Sequence, residues 1–147
     1  MPTEYQRDTY TISTDKSRLD INVLYDFLHT CYWSPGIPKA TIQKGIEHSM
    51  CFGMYDGNAQ IGFARVITDY TTFGYLCDVF ILEQYRSKGL AKWLMRCVMS
   101  HPDLQGFRRW MLLTRDAHKL YSGVGFTPIK SPDRHMELHN PDAYKNL

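Results

Sequence analysis

Residues 74 to 94 read GYLCDVFILEQYRSKGLAKWL, and the fold turns on how this stretch divides. The run through Leu82 is apolar, rich in aromatic and β-branched residues, and suits a buried strand. Beyond it Leu90, Leu94, Cys97 and Val98 recur at helical spacing, so a strand gives way to a helix. That helix opens against its own dipole. Unpaired N–H groups leave partial positive charge at a helix start, where acidic side chains belong. Here Arg86, Lys88 and Lys92 crowd it, with no acid between them. Three cations make sense at such a place if a polyanion completes it: Gly89 and Ala91 let the backbone approach closely, free amides grip the oxygens, and the basic tips neutralise them. A solvated stripe of Lys88, Lys92 and Arg96 is the alternative that spacing alone leaves open.

Working outward, TYTIST (9 to 14) alternates as a first or edge strand should. Asp20 can cap a helix with Leu24, Phe27, Leu28 and Cys31 on one face. SPGIP (34 to 38) breaks the chain, and Pro38 suits the first turn of a second helix that runs to about Ser49, with Ile42 and Ile46 inward. Residues 50 to 70 read as a hairpin about Asp56-Gly57-Asn58, followed by the strand 74 to 82. After the basic helix come the short apolar strand WMLLT (110 to 114), a short helix from Asp116 to Tyr121 closing near Gly123, and a returning strand VGFTPI. The polar tail from Lys130 is poorly determined. The order β-α-α-β-β-β-α-β-α-β predicts a mixed α/β fold, with an antiparallel meander followed by a crossover helix between parallel strands. Ligands in such sheets favour the carboxyl ends of strands where pairing changes character, and residues 82 to 90 occupy such an end.

A chain of 147 residues fits a single domain, with its core at about 9 to 138. Apolar residues at 44% and aromatics at 14% are too many for a disordered chain. No run approaches the roughly 18 apolar residues needed to cross a bilayer, and MPTEYQRD is too polar for a secretion signal, so a cytosolic location without a membrane partner is expected. Cys31, Cys51, Cys77 and Cys97 form no C-x-x-C pair and read as buried free thiols; the six histidines show no ligand spacing, and no metal is expected. The net charge of +2 argues against a nucleic-acid partner. Its distribution is uneven: residues 1 to 82 carry 6 Lys+Arg against 9 Asp+Glu, and residues 83 to 147 carry 11 against 6. The second part suits an anionic ligand and the first a cationic one.

The polyanion site is neither a P-loop, in which Lys follows Gly, nor a Rossmann G-x-G-x-x-G turn. Instead R-S-K-G-L-A (86 to 91) resembles the R/Q-x-x-G-x-G/A signature of the GNAT N-acetyltransferase superfamily. The strand DVFIL precedes it at the family's spacing, and DAHKLYSGVGF (116 to 126) is similar to the family's second coenzyme-binding segment, N-x-x-A-x-x-x-Y...GF. The likeness runs from about Thr9 to Ile129 and points to a small, single-domain member of bacterial type. It implies a mostly antiparallel central sheet with helices on both faces, the GNAT-like acyl-CoA N-acyltransferase fold, with acetyl-CoA as cosubstrate and no metal.

By this resemblance Val79, Phe80 and Ile81 line the pantetheine arm, which pairs with the strand backbone, while N–H groups near Val79 polarise the thioester carbonyl. Arg86, Ser87, Lys88, Gly89, Leu90, Ala91 and Lys92 hold the pyrophosphate, with Asp116 and His118 near the coenzyme. Tyr121 matches the tyrosine that protonates the departing thiolate. An amine acceptor must lose a proton before attacking. Asp78 is the candidate base, with Asp69 a second. Against that, Asp78 in an otherwise apolar strand also reads as a structural partner of Arg65, and Asp69 as the start of the Asp-Tyr-Thr-Thr turn. Tyr32 and Trp33 are candidates to line the acceptor site, with Asp69, although such residues more often serve aromatic packing, the reading that leads here. The implied activity is acetyl transfer to a primary amine, of a small molecule or peptide, by direct attack in a ternary complex; no cysteine sits in a nucleophile's setting. The rival readings are a non-catalytic acyl-CoA binding or sensing module and a nucleic-acid-associated protein using Arg108, Arg109 and the helix stripe. The family's frequent dimers allow a homodimer here.

Overall fold

The computed structural model describes residues 1–145; Asn146 and Leu147, the end of the polar tail assigned to the single domain, lie outside the described residues. Six strands form one sheet in chain order: β1 (Glu4–Arg7), β2 (Tyr10–Ser13), β3 (Met50–Asp56), β4 (Ala59–Thr68), β5 (Phe73–Ile81) and β6 (Arg109–Leu112). The first five pair antiparallel, and β5 pairs with β6 in parallel. Helices α1 (Ile21–Leu28) and α2 (Lys39–Glu47) fill the β2 to β3 connection, and α3 (Leu90–Ser100) is the crossover that parallel strands require. The short α4 (His118–Ser122) follows β6.

Local chemistry sets these boundaries. The Asp20 carboxylate accepts from the N–H groups of Asn22 and Val23 and caps α1, which contributes about 1 kcal/mol. Pro38 stands just outside α2 as its cap, where its missing N–H costs nothing, rather than within the first turn. Gly57, at φ +60°, takes the hairpin between β3 and β4.

Apolar side chains leave both faces of the sheet. Ile12, Phe52, Met54, Val66 and Leu76 meet Leu90, Leu94 and Val98 of α3 in one cluster. Cys51, Phe63 and Phe80 meet Leu24, Leu28 and Ile42 of α1 and α2 on the other side. The predicted mixed sheet with helices on both faces is therefore the architecture observed. The second face is covered only in part. Ile67, Tyr75 and Met111 lie side by side across β4, β5 and β6 and are absent from the cluster beneath α1 and α2.

Two strand expectations change. The β1–β2 hairpin starts earlier than Thr9, because Asp8 at φ +55° turns the chain and β1 pairs along the whole of β2. Residues 124 to 129 form no strand: Gly125 sits at φ +101°, and Pro128 has no N–H to give a ladder.

Candidate coenzyme and acceptor site

β5 and β6 part company. Their pairing ends at Leu76↔Leu112, while β5 runs on to Ile81, so the last residues of β5 have no neighbour on that side. A cleft of about 440 Å³ occupies the gap. Val79, Phe80 and Ile81 form one wall and Ala117, Leu120 and Tyr121 the other, with Tyr85 and the start of α3 closing the end.

The loop into α3 joins its cations to two residues of unusual backbone. Ser87 and Gly89 both take left-handed backbone, at φ +64° and +76°. No side chain caps the helix, and no acid lies in its first turn. Its opening bond runs from Trp93 N–H to the Gly89 carbonyl, 3.2 Å, which leaves the N–H groups of Leu90, Ala91 and Lys92 without partners in the helix. A Cβ built on Gly89 would meet nothing within 4 Å. The space beside Gly89 is therefore open, with Arg86, Lys88 and Lys92 exposed around it. Arg86 also holds the loop to the strand, its Nε–H donating to the Ile81 carbonyl over 2.8 Å.

Most of the predicted coenzyme residues converge on this cleft. Arg86, Ser87, Gly89, Leu90, Ala91 and Lys92 line it together with the three β5 residues. Lys88, Asp116 and His118 are exposed and stand outside the lining. The side chain that organises the start of α4 is Thr114, whose Oγ1 accepts from Ala117 N–H at 3.0 Å. Tyr85, Ala117 and Leu120 are lining residues the sequence reading omitted; the last two belong to the same A-x-x-x-Y spacing that identified Tyr121 and were recoverable from it.

Tyr121 is 9% exposed and packs edge-to-face against Phe126. Burial first, then the nearby Tyr32 and Asp116, pushes its phenol up to about 12. It stays protonated at neutral pH, as a proton donor must. Burial likewise pushes the thiols of Cys31, Cys51 and Cys97 up to about 11 and that of Cys77 up to about 12. At neutral pH none of them is a ready thiolate. Among the described residues, no group of three His, Cys, Asp or Glu could hold a metal ion, and no helix is long and apolar enough to cross a membrane.

Asp78 and its surroundings bear on the acceptor side. Cys77 faces Arg65 and Phe80 faces Phe63, so Asp78 and Val79 together stand opposite the single residue Ala64: a β-bulge. Asp78 takes φ +55° there. Its Oδ2 accepts from Arg65 Nε at 2.9 Å and its Oδ1 from Trp33 Nε1 at 3.0 Å, while Arg65 also donates to Ser49 Oγ at 2.9 Å. The pair that the sequence allowed as an alternative thus exists, with both oxygens of the candidate base already engaged. Tyr32 stands beside Trp33, carries the Arg115 guanidinium over its ring at 3.8 Å, and accepts from Arg115 N–H at 3.2 Å.

Asp69 is not brought to this site. It accepts from Thr71, Thr72 and Phe73 N–H and from the Thr72 hydroxyl, bonds that hold its carboxyl well below the usual range and tie the β4–β5 turn. The length of β5, roughly 3.3 Å per residue, separates it from Val79.

The model of the Acetyltransferase (GNAT) family matches residues 19–126. A candidate acetyltransferase of Gibberella zeae is 30% identical over 143 residues, covering 82% of this chain and 80% of its own. The crystal structure of a candidate GNAT acetyltransferase from Xanthomonas campestris pv. campestris has 48% identity and a TM-score of 0.90, covering 93% of this chain and 97% of that one. A GNAT family acetyltransferase from Elizabethkingia anophelis, crystallised with acetyl-CoA bound, shares the fold at 17% identity and a TM-score of 0.64, covering 89% and 88% of the two chains. A strand gap, an uncapped helix start and a buried tyrosine thus meet in a chain that belongs to the acetyltransferase (GNAT) family.

Proposed function

We propose that this protein transfers the acetyl group of acetyl-CoA to the nitrogen of a primary amine by direct attack in a ternary complex. The observation that carries the reading is the single cleft that joins the unpaired donors at the start of α3 to Tyr121 through the gap beside β5. The diphosphate lies over residues 86 to 92, where amides and cations meet it without a reorganisation cost. The pantetheine arm runs along the free edge of Val79 to Ile81 as an added strand, and the bulge at Asp78 and Val79 leaves peptide N–H outside the ladder to polarise the thioester carbonyl.

The neutral amine nitrogen bonds to the carbonyl carbon, the C–S bond breaks, the thiolate takes the Tyr121 proton, and the proton that the nitrogen sheds as it becomes an amide passes through solvent to restore the phenol. Against an ordinary thiol near 8.5, a phenol near 12 donates uphill by about 3.5 units, roughly 5 kcal/mol. Desolvation in the same pocket raises the thiol too and narrows that gap. The raised cysteines support direct attack over an acyl-enzyme.

The acceptor comes from the side of the sheet bearing α1 and α2. The ring of Tyr32 already carries Arg115, so an acceptor cation does not take that place. Exposed Trp33 and Ile67, with half-buried Tyr75 and Met111 in line with Ile67 across the sheet, favour an amine borne on a flat or apolar group, of a small molecule or peptide. The test is acetyl-CoA consumption over an amine library, wild type against Tyr121→Phe. Turnover that the variant abolishes or greatly slows is the expected result. A substrate turned over at full rate by the variant removes Tyr121 from the mechanism, and tight coenzyme binding without turnover of any amine supports a binding module instead.

A further inference from the structure

Both residues flanking Val79 are gripped by α1 and the loop that follows it. On one side Asp78, in left-handed backbone, is held by Trp33 and by Arg65. On the other, Phe80 stacks on Phe27 of α1 at 4.1 Å and 12°, and Phe27 in turn lies 6.2 Å from the Trp33 ring. A bulged residue other than Gly at φ +55° costs on the order of 1 kcal/mol, and it persists only where its surroundings fix it. Here two donors fix it from different elements. Arg65 belongs to β4 and is itself tied to Ser49. Trp33 belongs to the loop between α1 and α2 and is 42% exposed on the acceptor side.

We propose that Trp33 and Asp78 are positioning residues: the indole N–H bond to the carboxylate sets the bulge, and with it the direction in which the Val79 peptide N–H meets the thioester carbonyl. Asp78 then acts through the backbone instead of as the base that takes the amine proton. An acceptor that packs on Trp33 tightens this contact, so acceptor occupancy and thioester polarisation are linked through one side chain. The inference rests on the acetyl-CoA reading above.

The test needs no acceptor. Acetyl-CoA carrying ¹³C at the thioester carbonyl is bound to wild type, Trp33→Phe and Asp78→Asn, and the carbonyl stretch is read by infrared difference spectroscopy with coenzyme affinity measured alongside by calorimetry. In the wild type the band moves to lower frequency than in free acetyl-CoA. In both variants that displacement shrinks by about half or more while coenzyme affinity stays within about threefold of wild type. Trp33→Phe removes the indole N–H while keeping an aromatic, if smaller, ring at a partly exposed position, and serves if Asp78→Asn fails to fold. Bands unchanged in folded variants overturn the positioning role, and for Asp78 that result is the one a simple base would give. Absence of a displacement in coenzyme-bound wild type also overturns it, whereas failure of wild type to bind acetyl-CoA at all overturns the functional reading together with it.

Discussion

Gly74 stands directly opposite Trp110 in the parallel pair of the sheet, and a Cβ at Gly74 would lie 2.8 Å from the indole. The pair lies two residues before the pairing of β5 and β6 ends at Leu76↔Leu112. Gly74→Ala forces the ring to shift, and overpacking of this kind costs about 1–3 kcal/mol. The expected result is a lower urea midpoint with an unchanged slope, and weaker acetyl-CoA binding because the gap no longer opens at the same place. A midpoint equal to wild type contradicts the packing read here.

Tyr121→Phe keeps the ring against Phe126 and removes the proton. Turnover is expected to fall by about 10²-fold, the usual scale for a lost general acid, with acetyl-CoA affinity within about twofold by calorimetry. The pH profile carries a second check. A phenol held near 12 by burial stays protonated across the working range, so loss of Tyr121's proton brings no alkaline fall in kcat below about pH 10. A tyrosine-dependent decline near pH 9, absent in Tyr121→Phe, contradicts that environment.

Gly89→Glu places a carboxylate where the proposed function puts the diphosphate. The free protein accommodates it spatially, since a Cβ meets nothing within 4 Å, but φ +76° strains it by about 1–2 kcal/mol. A modest drop in melting temperature without coenzyme should accompany a loss of acetyl-CoA affinity of about tenfold or more. Equal affinity in both proteins removes the loop from the binding site.

His101 supplies a pH dependence of stability. It is buried under the end of α3; its Nδ1 accepts from Asp103 N–H, which puts the ring proton on Nε2 facing Thr3 Oγ1. Burial lowers its pKa from 6.5. Below that value the unfolded chain binds a proton that the folded one refuses, so stability is complete above about pH 6.5 and declines as pH falls toward the lowered folded value. Urea midpoints at pH 7.5 and 5.5 should differ by less in His101→Gln than in wild type.

Much of this was legible because single residues dictate local geometry. Asp20 and Asp56-Gly57 announce a cap and a turn, and the cations about Leu90 mark a helix start that has neither a side-chain cap nor an acid in its first turn. β1 was missed because EYQR carries only one apolar side chain to mark a face, and its strand status comes from pairing with β2. Residues 124 to 129 failed in the opposite sense, their apolar composition overridden by the Gly125 backbone and Pro128. Asp78 shows the limit most plainly: its sequence neighbours cannot tell a base from a brace, because the deciding partners, Trp33 and Arg65, come from other elements.

The two rims of the sheet, β1 and β6, are only four residues long each, and each carries charge, Glu4 and Arg7 on one and Arg109 on the other. Such blunt, ionised borders give a foreign strand little template to extend, so the open peptide edge needed inside the cleft is kept without inviting fibrillar growth from outside it.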